Sequence, residues 1–346
     1  MGGEIEMKEI LMIDSTLRDG SHAKRHRFTE EEIRSYAAAA EQAGVKILVA
    51  GHGNGLGAST LQIGKSLVSD DKFLRIAKNE LRRTKLGVLI IPGVGSIKED
   101  LEPALRIGAE VVFVTCHCTE ADTTQKYIQY ASKQGKEAIG VLMMTHMLDA
   151  EGLLAEALKM QEYGASGVLL MDSAGALLPK DVAGRVSLLV KGLKIKVGFH
   201  AHNNLGMATA NSLAAVEAGA HFIDATSRGF GAGAGNGNLE VIAVVLQKSG
   251  FETGLDLYKL MDMSDNVTSK FSEKPPDING ITITSGLAGV FSGFCPIVVK
   301  TAQKFGVDPR DILMELGRRK IVAGQEDYIT QIAVELASKK QSARRD

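Results

Sequence analysis

Asp19, His200 and His202 are the residues in this sequence best suited to chemistry. Side chains two apart on an extended chain point the same way, so both imidazoles of His200-Ala201-His202 face one side at a strand end. Two imidazole nitrogens suit a divalent cation but leave the site short of a ligand. Asp19, in Thr16-Leu17-Arg18-Asp19-Gly20, is the expected carboxylate. Such a set leaves coordination positions open for a substrate. A His-x-His on its own more often just hydrogen-bonds; Arg18-Asp19 tips the reading toward metal.

Other polar groups fall beside these. Arg18 is placed to neutralise an oxyanion or enolate, and its plain alternative is a structural ion pair in the same place. His22, three residues after Asp19, has the residue type of a general base near neutral pH; a loop histidine alone is more often solvated. Asp172-Ser173 offers a hydroxyl for a carboxylate or carbonyl oxygen. The stretch Gly229-Phe230-Gly231-Ala232-Gly233-Ala234-Gly235-Asn236 is a partial dinucleotide fingerprint in the wrong place, and reads better as pocket lining with Asn236. His52-Gly53-Asn54-Gly55 reads as a flexible loop. Cys116-His117-Cys118 cannot turn three adjacent side chains to one ion, and reads as an ordinary loop.

Eight short apolar runs must carry these residues: Ile10–Ile13, Lys46–Ala50, Leu86–Ile91, Glu110–Thr115, Ala138–Met144, Gly167–Met171, Lys196–Phe199 and Phe222–Ala225. Nearly continuous apolar character marks strands buried on both faces of a parallel sheet. Helical patterns alternate with them. Glu30–Ala43 follows Thr29 and Glu32 in a capping box; Ala150–Tyr163, Ala208–Ala218 and Leu239–Ser249 are others. Gly44, Gly108, Gly164 and Gly219 suit helix ends. The fold class is therefore α/β, a (β/α)8 TIM barrel, with an open doubly wound sheet as the rival. Polar residues just after the runs would converge on the barrel's C-terminal face. Lys274-Pro275-Pro276-Asp277 breaks the pattern. Residues 1–270 are expected to be the barrel and 271–346 a small C-terminal helical domain of three helical stretches, including Arg310–Arg319 behind Asp308-Pro309 and Gln325–Lys339. The final residues from Lys339 read as a frayed tail.

Composition narrows the class. The 346 residues are 45% hydrophobic with a formal charge of −1 and no basic block, so no nucleic-acid partner is expected. Three cysteines give no disulfide framework. The acidic start lacks a signal sequence, and no apolar run is long enough to span a membrane. The expected location is cytoplasmic.

Together, Thr16-Leu17-Arg18-Asp19-Gly20 and His200-Ala201-His202-Asn203-Asn204 resemble the metal-dependent lyases and condensing enzymes that include hydroxymethylglutaryl-CoA lyase and isopropylmalate synthase. Arg18-Asp19-Gly20-Ser21-His22-Ala23, Thr115 to Asp122, Leu142 to Met147, Gly231 to Asn236 and Gly324-Gln325-Glu326-Asp327 are similar to the 4-hydroxy-2-oxovalerate aldolase branch. The resemblance implies retro-aldol cleavage of 4-hydroxy-2-oxopentanoate to pyruvate and acetaldehyde, or the reverse. An acyl-CoA-dependent 2-oxo acid condensing enzyme is the alternative. It implies Mn2+, with Mg2+ or Co2+ as other divalent choices, on Asp19, His200 and His202. His22 and Arg18 would be catalytic, and Arg18, Asp19, Ser173 and His200 would contact a small 2-oxo acid. The implied partner is an acylating acetaldehyde dehydrogenase that receives the aldehyde, with the helical domain in the contact; an oligomer is expected. One departure stands out: where the family stretch carries tyrosines, Leu287 and Phe291 occur here, and Phe291 keeps the ring without the hydroxyl.

Overall fold

The computed structural model describes residues 8–342. Its centre is a closed barrel of eight parallel strands. We number them β1 (Leu11–Asp14), β2 (Ile47–Val49), β3 (Lys85–Ile90), β4 (Val111–His117), β5 (Glu137–Met143), β6 (Gly167–Asp172), β7 (Lys196–Ala201) and β8 (Phe222–Ala225). All eight expected runs form strands, with ends shifted by a residue or two. Each pairs in parallel with the next, and β8 closes on β1. Expected strands one and seven therefore flank β8, and their ends meet at the mouth.

The strands read as unbroken apolar runs because each has two buried faces. Inward residues such as Ile13, Val49, Leu89, Phe113, Val141, Leu169 and Phe222 fill the barrel. Outward ones pack under the helices with Ile33, Tyr36, Leu74, Ile128, Leu153 and Leu189. Gly198 shows how tight the interior is: a Cβ there would lie 2.0 Å from the Phe222 ring. The missing side chain lets that ring fill the layer below His200.

Among the described residues, nine helices surround the barrel: α1 (Glu30–Ala43), α2 (Asp70–Glu80), α3 (Glu102–Ile107), α4 (Gln125–Lys133), α5 (Ala150–Glu162), α6 (Pro179–Gly192), α7 (Ala208–Glu217), α8 (Leu239–Lys248) and α9 (Leu257–Asn266). Thr29 and Glu32 form the expected capping box of α1, and Gly44 ends it in the left-handed conformation at φ 81°. A pair of two-residue strands, Lys8–Glu9 and Phe251–Glu252, lies outside the barrel and had no signal in the apolar pattern.

Beyond the barrel the described residues form four helices, not three: α10 (Gly280–Ala288), α11 (Cys295–Phe305), α12 (Pro309–Arg318) and α13 (Asp327–Ser342). The sequence Gly-Ile-Thr-Ile-Thr-Ser-Gly disfavours a helix by propensity. Asn279 offsets this by capping α10, its side chain accepting from Ile281 and Thr282 N–H. Val290, Phe294, Val298, Ile312, Leu316, Ile329 and Ile332 form a separate core for this segment. Phe271 belongs to the barrel instead, packed against Phe28, Tyr36 and Phe230. Helix α13 runs through the start of the expected frayed tail, and residues 343–346 lie outside the described ones. Among the described residues, no helix is long and apolar enough to cross a membrane.

Candidate metal centre

Asp19 sits in a short turn after β1, and a buried network anchors that turn. The Asp14 carboxylate accepts from Thr16 N–H at 2.9 Å and from the Thr16 hydroxyl at 2.6 Å. The Tyr36 hydroxyl lies 2.7 Å from Asp14 Oδ2. Ser227 N–H donates to Thr16 Oγ1 at 2.8 Å, tying β1 to the loop after β8. Burial pushes the Asp14 carboxyl up to about 6, against the pull of its hydrogen bonds from Thr16 and Tyr36.

The expected triad is brought together. Ligand atoms of Asp19, His200 and His202 all lie within 4.8 Å of one another, and all three residues are buried. His202 Nδ1 faces the Ala232 carbonyl at 3.4 Å. His200 Nδ1 faces Asp224 Oδ2 at 3.0 Å. A carbonyl or carboxylate oxygen can only accept, so each ring carries a proton on Nδ1, and Nε2 is the atom that a neutral ring offers to an ion. His200 Nε2 is buried with no partner. Burial pushes the His202 imidazole down to about 4, despite the attraction of Asp19. Burial also works against the Asp19 carboxylate, but Arg18 and the three nearby histidines hold it well below the usual range. A carboxylate and a neutral imidazole are the forms that ligate a metal, so the donor set fits a divalent first-row ion.

Arg18 makes the ion pair that its plain alternative expects. Nη1 donates to Asp19 Oδ1 at 2.6 Å and Nη2 stands 3.6 Å from Asp224 Oδ2, while Nε has no partner. The guanidinium is paired, yet it still lines the pocket. That pocket is also lined by Asp19, His22 and His202, with Leu89, Met143, Met171 and Phe291 among its apolar residues.

His22 owes its place to a residue that the sequence reading passed over. A Cβ on Gly53 would lie 2.6 Å from His22 Nε2, so only glycine leaves room for the ring. Behind His22 stand His26, edge-on at 5.1 Å between centroids, and His52, stacked on His26 at 3.7 Å. His52 accepts from Asn54 N–H and faces the Gly64 carbonyl, which fixes it as a neutral donor. Burial lowers the His22 imidazole too, with Asp19 opposing.

Ser173 is buried, and its hydroxyl accepts from Met144 N–H at 3.0 Å. It lies outside the pocket lining. Its carbonyl instead receives both Ser292 N–H and the Ser292 hydroxyl, at 3.1 and 2.8 Å. This seats the segment ahead of α11 on the barrel mouth and brings Phe291 into the pocket.

Three further groups belong to the site. Asn236 Nδ2 donates to Asp19 Oδ2 at 2.6 Å and fixes the carboxylate. Its loop can turn so tightly because Gly235 sits at φ 87°, where a Cβ would lie 2.1 Å from the Gly229 carbonyl oxygen. Thr115 lines the pocket with a buried, unpaired hydroxyl. Asp224 shares the inward parity of Phe222 and is His200's register partner across β7 and β8; period-two counting on adjacent strands would have found it. Cys116 and Cys118 are buried, and burial pushes both thiols up, that of Cys118 to about 12. The strand runs through His117, two residues further than expected, and Cys118 follows it.

Comparison with known proteins agrees with this architecture. Residues 9–267 match the HMGL-like family, and residues 276–338 match a DmpG-like communication domain. The chain is 50% identical to a 4-hydroxy-2-oxovalerate aldolase of Pectobacterium atrosepticum, over 97% of this chain and 98% of that one. It is 47% identical to one from Streptomyces tendae, over 95% and 92%. Among solved structures, the N-terminal domain of a putative aldolase from Bacteroides vulgatus aligns with a TM-score of 0.72 at 22% identity, covering 84% of this chain and 97% of that one. Rhizobium etli pyruvate carboxylase aligns at 0.83 and 19%, covering 97% of this chain and 32% of that one. These two likenesses speak for the fold alone. The near full-length identity goes further: the chain belongs to the HMGL-like family and, within it, to the 4-hydroxy-2-oxovalerate aldolases, which are carbon–carbon lyases.

Proposed function

We propose that this protein is a divalent-metal-dependent pyruvate aldolase that cleaves 4-hydroxy-2-oxopentanoate to pyruvate and acetaldehyde, or joins them. The observation that carries the reading is the meeting of Asp19, His202, Arg18 and His22 at one small pocket, with the bare Nε2 of His200 turned toward the same ligand set. Asp19, His200 and His202 would hold the ion, Mn2+ first, with Mg2+ and Co2+ as other ions that the same donors accept. Such an ion supplies Lewis-acid polarisation of a 2-oxo acid carbonyl.

The protein's own groups do the rest. Arg18 sets its guanidinium where negative charge grows on the 2-oxo oxygen as the C3–C4 bond breaks. His22, neutral at pH 7, takes the proton of the C4 hydroxyl as that carbon becomes the aldehyde. Ser173, buried outside the pocket lining, would act from behind it, its hydroxyl holding the Met144 N–H and its carbonyl the Ser292 segment that carries Phe291. The apolar residues, with Phe291, receive the alkyl end.

We read the chain through Phe271 as the catalytic barrel, one residue past the expected boundary at 270, and the rest as a partner-contact unit. The match to a communication domain supports docking of an acylating acetaldehyde dehydrogenase there. The product assay is direct: purified protein, Mn2+ and 4-hydroxy-2-oxopentanoate should yield pyruvate and acetaldehyde in equal amounts. No pyruvate, or CoA thiol release from an acyl-CoA with a 2-oxo acid acceptor, would reject the aldolase reading.

A further inference from the structure

Asp224 is the last residue but one of β8, buried at the barrel mouth, and neither metal ligation nor proton transfer uses it. Its Oδ2 lies 3.0 Å from His200 Nδ1 and 3.6 Å from Arg18 Nη2. The His200 and Asp224 side chains are 0% and 1% exposed, so water does not compete for the contact. We propose that Asp224 is a positioning residue of the metal centre: it locks His200 in the Nδ1–H form, ring plane fixed, with the Nε2 lone pair aimed at the ion. The proposal rests on the reading of Asp19, His200 and His202 as metal ligands.

Three observations support it. A carboxylate accepts only, so it dictates which nitrogen of His200 bears the proton. The other nitrogen, Nε2, is buried and unpaired, a state that a merely structural histidine would have no reason to keep. The two imidazoles are also held unequally. His202 leans on a neutral carbonyl at 3.4 Å, while His200 has a charged acceptor at 3.0 Å. Charge-assisted hydrogen bonds are roughly twice as strong as neutral ones. The same oxygen faces Arg18, so one carboxylate orients both a metal ligand and the cation next to the substrate. Backbone pairing places it there, since His200 and Asp224 are register partners on neighbouring strands.

The test uses the full chain stripped of metal and titrated with Mn2+, with free Mn2+ followed by its paramagnetic resonance signal. Wild type should bind one ion. Asp224→Asn, which keeps the shape and removes the charge, should stay folded by circular dichroism and bind Mn2+ about 10–100-fold more weakly. A loss smaller than tenfold overturns the proposal while leaving the metal reading intact. Failure of the wild type itself to bind Mn2+ overturns that reading, and this proposal with it. A second measurement does not depend on the variant's folding. In wild-type protein with 15N-labelled histidine, the His200 resonances should show a protonated Nδ1 and a bare Nε2. The opposite tautomer contradicts the proposal.

Discussion

The two sides of the pocket are built on opposite rules. One side carries Arg18, Asp19, His22 and His202, from the ends of β1 and β7; there Arg18 and Asn236 hold the two oxygens of Asp19, and His202 Nδ1 faces the Ala232 carbonyl. The other carries Leu89, Ile91, Met143 and Met171 from β3, β5 and β6, with Thr115 from β4 and Phe291 from the segment before α11. On it, one buried hydroxyl lacks a partner. A fixed polar wall serves chemistry, because donors and charges aimed in advance need no rearrangement as the bond breaks. An apolar wall selects by size, and size selection is shallow. Changes to the first wall should therefore abolish turnover, while changes to the second should redirect it.

The largest effect is expected from His202→Ala. It removes one of three ligands and should lower kcat by about 10⁴-fold or more, the weight of several kcal/mol of Lewis-acid stabilisation. Mn2+ titration should show weakened binding in parallel. His22→Ala should cost about 10²–10⁴-fold in kcat and leave Mn2+ affinity unchanged. If metal binding fell as well, the division of labour within the polar wall would be wrong. Across the pocket, Leu89→Ala should leave kcat for the five-carbon substrate within about tenfold. It should also shift the preference between substrates one methylene apart by about 10-fold or more. An unchanged preference would deny the apolar wall its selective role.

The smallest effect is in pH. Burial lowers the His22 imidazole below its ordinary 6.5, and a base must be neutral to act. kcat/KM should therefore be flat from neutral pH upward and fall only as the pH drops below about 6.5. An acid limb centred above 7 would contradict this.

Much of this contrast was legible in the sequence. The barrel strands were readable because burial on both faces leaves an apolar run with a polar residue at its end. The triad was readable because His-x-His on a strand is one of few ways to aim two imidazoles together. What escaped were groups whose role depends on a neighbour. Gly53 matters only because His22 leans into the space above it. Asp224 matters only through the register that sets it beside His200. Asn236 was read as pocket lining, but its bond to Asp19 depends on how the glycine-rich loop turns. Helix α10 had little signal, because its β-branched residues argue against a helix that capping by Asn279 favours.

The central claim is that the polar wall works through a bound divalent ion, and chelation tests it most directly. Enzyme stripped by a chelator should release no pyruvate from 4-hydroxy-2-oxopentanoate, and added Mn2+ should restore release. Pyruvate release at full rate from chelated, metal-free enzyme would contradict the account.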